Sequence, residues 1–440
     1  MIEQIRQAGV VGAGGAGFPT HVKLCCTADT LIANGAECEP LLYVDQSLME
    51  RHADRVVAGL ETAMAVTGAE TGIVATKAHY AGAVAALSRA IAGRPAIRLH
   101  LLRSYYPAGD EKSLIYEVTG RLAPSGKLPK DVGCAVSNVG TLLQIADALE
   151  GKPVVDRVLT VGGDVPAPVT VAAPLGTPMR DLLALAGFAG DERSHALLAG
   201  GPCMGILAED WDAGVTKTTG GLLVLPRTHP LITGRTLPLS RQFKLAQAVC
   251  CQCSQCTMLC PRHALGFDVQ PHKGMRAMAH TDARLLGGAN GILACCGCGV
   301  CTYYACPMGL APARIMARWK AELGRAGIRP QPEAGLRADP QYALTQIPTH
   351  RLVARMGLTP YDRPAPFLNQ AVHPRRVRIS LAMHVGAPCV PAVAEGDAVR
   401  RGDLIARVPA RALGAPIHAS VSGCVARVTD GYIEITGREG

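Results

Sequence analysis

The first third of the chain alternates short apolar runs with longer amphipathic segments. Apolar runs of strand length occur at 30–33, 72–76 and 97–102. Between them, segments at 46–66 and 81–91 space their apolar residues as a helix does. This alternation predicts a parallel sheet with crossover helices, and therefore an α/β domain.

The following segment, 154–226, is rich in short apolar runs separated by turn residues. Strands are predicted at 158–161 and 169–172, and a turn then opens a short helix that ends at Gly187. Farther along, helical spacing is predicted at 277–286 and again at 308–323. The middle of the chain therefore passes from strands to helices.

The end of the chain changes character once more. Residues 324–374 are rich in Pro and Arg with weak periodicity, which predicts a packed connector. The final 60 or so residues carry short apolar runs broken by Gly and Asp, which predict a small β-domain.

Two cysteine runs stand inside the helical segment. They read C-x2-C-x2-C-x3-C-P from Cys250 and C-x2-C-x2-C-x4-C-P from Cys295. Three thiolates at i, i+3 and i+6 can occupy three corners of an iron–sulfur cubane, and in two-cluster ferredoxins the fourth Cys ligates the other cluster. One [4Fe–4S] centre is therefore expected on Cys250, Cys253, Cys256 and Cys306. The second is expected on Cys295, Cys298, Cys301 and Cys260.

Other chemistry fits these cysteines less well. A zinc site uses four ligands in two pairs, and disulfides are not expected in a chain with no secretory signal. The residue added between Cys301 and Cys306 is expected to lengthen the turn without losing the ligand. Cys251 and Cys296 stand beside ligands, and they either replace a neighbour or are buried thiols.

Composition narrows the possible partners. The chain of 440 residues has a net charge of +9 and 18% charged residues, so it is expected to be a turn-rich globular protein. No apolar run approaches the roughly 18 residues of a membrane span, and no basic block with aromatic residues suggests nucleic acid. The 17 cysteines indicate a reducing cytoplasm.

A glycine-rich loop follows the first ten residues. Gly12, Gly14, Gly15 and Gly17 allow close approach of a ligand and can present N–H groups to a phosphate, to which Lys23 would add a positive charge. The spacing matches neither a Walker loop nor the usual dinucleotide fingerprint.

This loop resembles the flavin loop of the FMN-carrying, NADH-oxidising subunit of respiratory complex I and, more closely, the C subunit of Rnf-type electron-transfer complexes. Three further segments match in the same order, at 34–40, 106–112 and 137–142. The resemblance implies that FMN is held by Gly12, Gly14, Gly15, Lys23, Asn34, Glu37, Tyr106, Gly109, Asp110, Glu111, Asn138 and Thr141. No catalytic side chain is implied.

For NADH, the resemblance implies Phe18 as a stacking residue and Glu39 as a partner of the nicotinamide ribose. Two other roles stay open: Phe18 as a core residue, and Glu39 as an acceptor for loop N–H groups. The complex I pattern has aromatic residues after the Lys, where this chain has Leu24 to Cys26, and an acidic residue where it has Ala36. Direct oxidation of NADH therefore stands as a separate expectation from FMN binding.

The predicted fold class is a multidomain α/β plus α plus β protein. The resemblance implies a Rossmann-like FMN-binding domain, a soluble-ligand-binding β-grasp, an α-helical two-cluster ferredoxin module, a connector and a barrel-sandwich domain. Their predicted bounds are 1–150, 151–235, 240–325, 326–374 and 375–440. The last domain has no Lys to carry biotin or lipoate, so it is expected to dock or to support; His384 and His418 within it are expected to be turn residues and not metal ligands.

The order of these modules, with the barrel last, resembles the cobalamin reductases of propanediol-utilisation microcompartments. The resemblance to that family implies that electrons pass from NADH through FMN and two [4Fe–4S] clusters to cobalamin. It also implies a cytoplasmic protein that lies inside a microcompartment. Its implied partners are a cob(I)alamin adenosyltransferase and microcompartment shell or cargo proteins. Two alternatives stay open: a microcompartment electron shuttle that recycles NADH by reducing a different acceptor, such as a ferredoxin or quinone-linked protein, and an Rnf-like relay subunit that does not oxidise NADH itself.

Overall fold

The computed structural model describes residues 1–437. Its first domain contains, in chain order, α1 (Ile2–Gln7), α2 (Thr20–Lys23), β1 (Thr30–Gly35), α3 (Val44–Arg51), α4 (Ala53–Thr67), β2 (Thr71–Lys77), α5 (Ala81–Ala90), β3 (Ile97–Leu102), β4 (Tyr105–Tyr106), α6 (Glu111–Thr119), a 3₁₀ turn (Pro129–Val132), β5 (Cys134–Asn138) and α7 (Val139–Leu149). Strands β3, β2, β1 and β5 form a parallel sheet in that order. The predicted parallel sheet with crossover helices is confirmed.

The helix predicted at 46–66 is two helices, so that prediction was wrong. His52 leaves the helical region of backbone space (φ −131°, ψ 31°) and separates α3 from α4. Helix α4 packs closely on α7, where a Cβ on Gly59 would lie 1.9 Å from the carbonyl oxygen of Leu142. The break therefore lets α4 follow α7 while α3 turns its N-terminus toward the end of β1.

The second domain contains β6 (Asp156–Gly163), β7 (Val169–Pro174), α8 (Met179–Leu185), β8 (His195–Ala199), β9 (Ile206–Ala208) and β10 (Gly221–Pro226). The central pair, β6 and β10, is parallel, and β7 and β8 flank it in antiparallel pairing. Buried residues such as Leu159, Leu182 and Trp211 form its core. The predicted strands at 158–161 and 169–172 and the helix ending near Gly187 are all present.

The cysteine-bearing module is helical throughout. It contains α9 (Pro230–Thr236), α10 (Leu239–Val249), α11 (Gln255–Met258), α12 (Pro261–Ala264), α13 (Pro271–His280), a 3₁₀ turn (Ala283–Leu286), α14 (Ala289–Leu293), a π-helical turn (Cys301–Ala305) and α15 (Pro312–Arg325). No strand occurs between residues 239 and 325, as the helical periodicity predicts.

Two helix bounds in this module were predicted wrongly. The helix expected at 277–286 ends at His280, because Thr281 adopts a left-handed conformation with φ of 53°. The helix expected from 308 begins at Pro312, where proline is favourable because the first helical N–H has no intrahelical partner.

The connector is more structured than its weak periodicity predicted. It contains a 3₁₀ turn (Tyr342–Leu344), β11 (Ile347–Pro348), α16 (Thr349–Arg355), a second 3₁₀ turn (Thr359–Tyr361) and β12 (Phe367–Leu368). Strand β11 pairs with β4 of the first domain, and β12 extends the second-domain sheet beside β7. The connector therefore joins the first two domains by pairing one short strand with each.

The last domain is a sandwich of two small sheets. Its strands are β13 (Arg376–Ser380), β14 (Val390–Pro391), β15 (Ala398–Val399), β16 (Leu404–Arg407), β17 (Ile417–His418), β18 (Gly423–Val428) and β19 (Tyr432–Gly437). Strands β13, β19, β18 and β15 form one sheet, and β14, β16 and β17 form the other. The predicted small β-domain is confirmed.

The first and last domains share one continuous core. Ile5, Val10 and Leu24 from the N-terminal end belong to the same buried cluster as Ile405 and Ile417 of the sandwich. Burial of apolar surface thus holds the two ends of the chain together. None of the helices within residues 1–437 has the length and apolar character of a membrane span.

Candidate functional site

A crevice lies at the carboxyl ends of β1 and β5. From β1 the chain continues through β2 and β3 to one side, whereas β5 lies on the other side of β1. Such a reversal of strand order leaves an opening at the carboxyl ends of the two strands, which is where open α/β sheets bind ligands. The predicted residues Asn34 and Asn138 end these two strands, and the glycine loop lies beside them.

The glycine loop offers free backbone donors to this crevice. Gly14, Gly15 and Ala16 are exposed, and their N–H groups have no hydrogen-bond acceptor among the described residues. Gly15 adopts φ of +107° and a Cβ there would meet nothing within 4 Å, so the surface above it is open. Open N–H groups of this kind fit the phosphate of FMN.

Three parts of the chain hold the loop in place. The N–H of Ala13 donates to the Thr141 hydroxyl at 2.8 Å, and its carbonyl accepts a hydrogen bond from the buried guanidinium of Arg157. From the last domain, the N–H of Val385 donates to the carbonyl of Gly17. Thr141 therefore positions the loop, and the barrel-sandwich domain supports the predicted FMN site.

Lys23 and Glu111 form an ion pair at the margin of the crevice. The Lys23 Nζ lies 2.8 Å from the Glu111 carboxylate, and both side chains are partly exposed. Both residues were predicted to contact FMN, Lys23 at the phosphate end and Glu111 near the ring. The structure brings them together at one point.

We expect Lys23→Ala to weaken retention of FMN, because it removes a cation at the margin of the crevice that can pair with a phosphate. The measurement is the FMN-to-protein ratio after gel filtration. Lys23→Arg keeps the charge and serves as the control. An unchanged ratio in Lys23→Ala would show that the lysine does not bind the phosphate.

Asn34, Gly109 and Asn138 form a connected polar group at the floor of the crevice. The Asn34 amide donates to the carbonyl of Gly109, and the Asn138 amide donates to the carboxylate of Asp45. The Asn138 side-chain oxygen also accepts from the N–H of Gly140 and caps α7. The structure therefore places all three predicted residues in the crevice.

Glu37 has a structural role that the sequence did not predict. Its carboxylate accepts hydrogen bonds from the N–H groups of Val44 and Gln46 at the start of α3, so it is not free for the ribityl chain. Burial, followed by the charge of Asp45, raises the pKa of Glu37. Lys77 completes this group by donating to the Glu37 carbonyl.

Glu39 binds loop N–H groups, one of its two predicted roles. Its carboxylate accepts from the N–H groups of Cys203 and Met204, and the Tyr106 hydroxyl lies 3.3 Å away. Burial raises the pKa of Glu39 to about 7, although these hydrogen bonds oppose the shift. Phe18 is partly exposed on the glycine loop, where its carbonyl accepts from Gly12.

Tyr106 and Asp110, which are predicted to contact FMN, connect the first domain to the cysteine module. Tyr106 is 1% exposed, and its hydroxyl donates to the carbonyl of Cys298 at 2.7 Å. Asp110 forms a 2.6 Å ion pair with Arg262, and both side chains are 10% exposed. Burial alone would raise the pKa of Asp110, but Arg262 lowers it below its usual value.

One group of cysteines lines a small cavity that opens to solvent. Its thiols are Cys250, Cys253, Cys256 and Cys306, together with the neighbouring Cys251. Burial raises the pKa of the Cys256 thiol to about 12, and the nearby Cys306 adds to this effect. Only the deprotonated thiolate ligates iron, so binding of a cluster here would release the protons that these thiols hold.

The second group is more deeply placed: Cys260, Cys298 and Cys301 are buried, and Cys295 is partly buried. Burial raises the pKa of the Cys260 thiol, and the nearby thiols of Cys296 and Cys295 raise it further. The pKa of Cys301 is raised in the same way, by burial and then by Cys295 and Cys260. The structure thus brings Cys260 to the second cysteine run and Cys306 to the first, the exchange predicted from two-cluster ferredoxins. The added residue before Cys306 is taken up by the π-helical turn, whose hydrogen bonds span one residue more than those of an α-helix.

A single metal ion does not suit these positions. Within residues 1–437, no three His, Cys, Asp or Glu side chains come close enough to hold one ion. A cubane is larger than a single ion, and its thiolate ligands lie farther apart than those of one ion.

Family comparisons agree with this division of the chain. Residues 5–147 match the Nuo51 FMN-binding domain, residues 249–311 match a 4Fe-4S dicluster domain, and residues 365–438 match the RnfC barrel sandwich hybrid domain. Among curated proteins, cobalamin reductase PduS of Salmonella typhimurium is 44% identical over 434 residues, covering 98% of this chain and 95% of the relative. The chain belongs to the PduS cobalamin reductase family.

Other members and relatives extend the comparison. PduS of Citrobacter freundii is 43% identical over 98% of this chain and 95% of its own length. The C subunit of the Na(+)-translocating ferredoxin:NAD(+) oxidoreductase complex of Acetobacterium woodii is 37% identical over 59% of this chain and 57% of its own length. A solved NAD+-reducing [NiFe]-hydrogenase shares the fold at a TM-score of 0.50, with 20% identity over 82% of this chain and 67% of that one. The expected resemblance to PduS and to RnfC is confirmed.

Several residues of the site lacked a signal in the sequence. Arg157, Asp45 and Lys77 lie in separate elements, and only folding brings them to Ala13, Asn138 and Glu37 of the site. Arg262 could have been noticed, because it stands two positions after a predicted cluster ligand.

Proposed function

We propose that this protein uses NADH to reduce cob(III)alamin through cob(II)alamin to cob(I)alamin. FMN, when bound, can accept two electrons as hydride and release them singly, and [4Fe–4S] clusters carry single electrons. The chain supplies a phosphate-binding loop, two sets of four thiols and the contacts that join them. No protein side chain is required as a nucleophile or general base.

The observation that carries this proposal is the direct junction between the crevice and the buried cysteine group. Tyr106 and Asp110 follow β3 of the crevice domain, and they contact Cys298 and Arg262 of the cysteine module. We propose that Cys260, Cys295, Cys298 and Cys301 hold the cluster nearer the flavin.

The other cysteine group lies at the surface. Cys251 and Cys253 are exposed, and the side chains of Met258 and Met308 nearby are 63% and 47% exposed. We propose that Cys250, Cys253, Cys256 and Cys306 hold the cluster from which electrons leave the protein. An apolar surface of this kind suits a large acceptor that docks transiently, because flexible Met side chains adapt to its shape.

The proposal also covers the fold of the second domain, a partner protein and the location in the cell. We assign the second domain, residues 151–235, to the soluble-ligand-binding β-grasp fold because of its central parallel pair flanked by antiparallel strands. We also propose a cob(I)alamin adenosyltransferase as partner and a bacterial microcompartment in the cytoplasm as location. Support for these comes from membership in the PduS family.

A second candidate is a relay subunit that receives electrons from another protein. Leu24, which stands where complex I has an aromatic residue, is 1% exposed and belongs to the core, so it offers no ring to a nucleotide. This observation favours a protein that binds FMN but does not bind NADH.

One anaerobic experiment separates the candidates. Protein loaded with FMN and iron–sulfur clusters is mixed with NADH and hydroxocobalamin, and the flavin and cobalamin spectra are followed together. We expect flavin bleaching and reduced cobalamin. Bleaching without cobalamin reduction would indicate another acceptor, and no bleaching would support the relay subunit.

A further inference from the structure

Arg262 occupies a position between the two redox sites. It lies on α12, two residues after Cys260, and its guanidinium is paired with Asp110 of the crevice domain. The side chain is 10% exposed. A buried ion pair across a domain boundary is weak evidence for stability by itself, since burial of two charges costs about as much as their attraction gains. Its placement suggests a different purpose.

One donor of Arg262 has no partner. The Nη2 atom donates to Asp110 at 2.6 Å, and the guanidinium carbon lies 5.5 Å from the centre of the Phe267 ring. The buried Nε atom has no hydrogen-bond acceptor among the described residues. A buried donor on a charged group is costly to leave without a hydrogen bond, so an acceptor is expected nearby.

Arg262 follows the predicted cluster ligand Cys260 by two residues, so a cluster bound there would bring sulfur acceptors to this part of the module. Burial lowers the pKa of Arg262, but Asp110 and, to a smaller extent, the thiols of Cys296 and Cys260 raise it above its usual value. Hydrogen bonds to sulfur and nearby positive charge stabilise the reduced form of an iron–sulfur cluster, because reduction adds negative charge.

We propose that Arg262 is a positioning residue that raises the reduction potential of the cluster held by Cys260, Cys295, Cys298 and Cys301. The Nε–H group donates to sulfur of that cluster or its ligands, while Asp110 holds the guanidinium in place and limits its charge. This inference rests on the ligand assignment in the proposed function. It makes the cluster nearer the flavin the easier one to reduce by NADH-derived electrons.

The pair gives the proposal two tests of opposite sign. Arg262→Gln removes the positive charge and leaves the Asp110 carboxylate uncompensated, so the cluster becomes harder to reduce. Asp110→Asn removes the negative charge but keeps a side chain that can cap α6, so the cluster becomes easier to reduce. A residue with only a structural role would give the same direction of change in both variants.

The measurement is a potentiometric titration of both clusters, followed by electron paramagnetic resonance and carried out with chemical reductant. Neither NADH nor cobalamin takes part, so a failure of the proposed activity leaves the result interpretable. For one cluster we expect a change of about tenfold in the reduction equilibrium, or about 59 mV, downward in Arg262→Gln and upward in Asp110→Asn. The other cluster stays constant.

Two further variants complete the design. Arg318→Gln removes an exposed arginine of the same module, from a pair with Glu322, and should shift neither cluster. Arg262→Lys should restore part of the wild-type potential through its charge. Shifts of the same sign in the two pair variants, or no shift in either, would overturn the proposal. If Arg262→Gln fails to fold, the upward shift in Asp110→Asn decides the matter.

Discussion

Replacing Cys298 with alanine is expected to abolish cobalamin reduction, by more than about 100-fold, while the flavin is still reduced by NADH. The reason is where Cys298 lies. It is buried, and its carbonyl accepts a hydrogen bond from the Tyr106 hydroxyl of the crevice domain. We propose that electrons from the flavin reach the cysteine group that contains Cys298 first. In the variant, the exposed cluster should stay oxidised after NADH and become reduced only by dithionite.

Cys253→Ala gives the complementary result. Cys253 is exposed, so its loss removes the surface cluster and leaves the buried cluster intact. That buried cluster should still be reduced by NADH, while cobalamin is not. Electron paramagnetic resonance of samples frozen after NADH addition separates the two variants.

A matched control for both variants is Cys424→Ala, an exposed cysteine of the last domain that belongs to neither group. It should retain both clusters and full activity. NADH reduction of the surface cluster at the wild-type rate in Cys298→Ala would contradict the order of clusters. Two intact cluster signals in either ligand variant would contradict the ligand assignment.

Among the substitutions proposed for this protein, Lys217→Met is expected to cause the largest loss of folding stability, together with weaker retention of FMN. Lys217 is 1% exposed, and its ammonium group donates to the carbonyls of Gly9 and Pro416 at 2.7 and 2.8 Å. It therefore joins the first, second and last domains at one point. Methionine fills similar space but leaves two buried carbonyls without a donor, at a cost of about 1–3 kcal/mol each. FMN retention should fall because Gly9 lies just before the glycine loop.

The loss of stability in Lys217→Met should depend on pH, in a direction set by the pKa of Lys217. Burial lowers the pKa of Lys217 to about 7, whereas an unfolded lysine titrates near about 10.4. Between these values the unfolded chain binds a proton that the folded chain does not, so this group makes stability rise with pH. Its contribution is complete above about pH 10.4 and is lost as the pH falls through about 7.

The test compares the free energy of unfolding of wild type with that of Lys217→Met. Both are measured at about pH 6.5 and at about pH 9, which lie on either side of the folded-state pKa. The gap between them should widen at the higher pH, by about 1.4 kcal/mol for each pH unit within the window. Lys152→Met, at an exposed lysine, should show no such change. A gap that is constant with pH would show that Lys217 titrates in the folded protein as it does in the unfolded chain.

Helices and strands could be predicted from the sequence where apolar residues repeat with a regular period, and were missed where that regularity ends. The parallel sheet, the strands of the second domain and the helical cysteine module follow from periodicity, because burial on one face repeats along the chain. Helix bounds did not follow where a single residue leaves helical geometry, as at His52 and Thr281. The strands of the connector were missed because two-residue strands carry no period and exist only by pairing with β4 and β7.

Glu37, Tyr106 and Asp110 show the same limit for the site. Each stands in a segment that resembles a flavin-binding motif, yet Glu37 caps α3 and the other two contact the cysteine module. The direction of a side chain depends on which partner the fold brings near it, and such partners are far away in sequence.

The sequence by itself determined the redox chemistry of this protein, because cluster ligands and a glycine loop are local patterns whose spacing must match the group they hold. The order of modules further determined its family. Only the tertiary structure decided which cysteine group faces the flavin domain and which faces solvent. It also decided that Lys217 joins three domains and that Arg262 lies between the redox sites. These features are contacts between residues more than 100 positions apart, and packing alone brings such residues together.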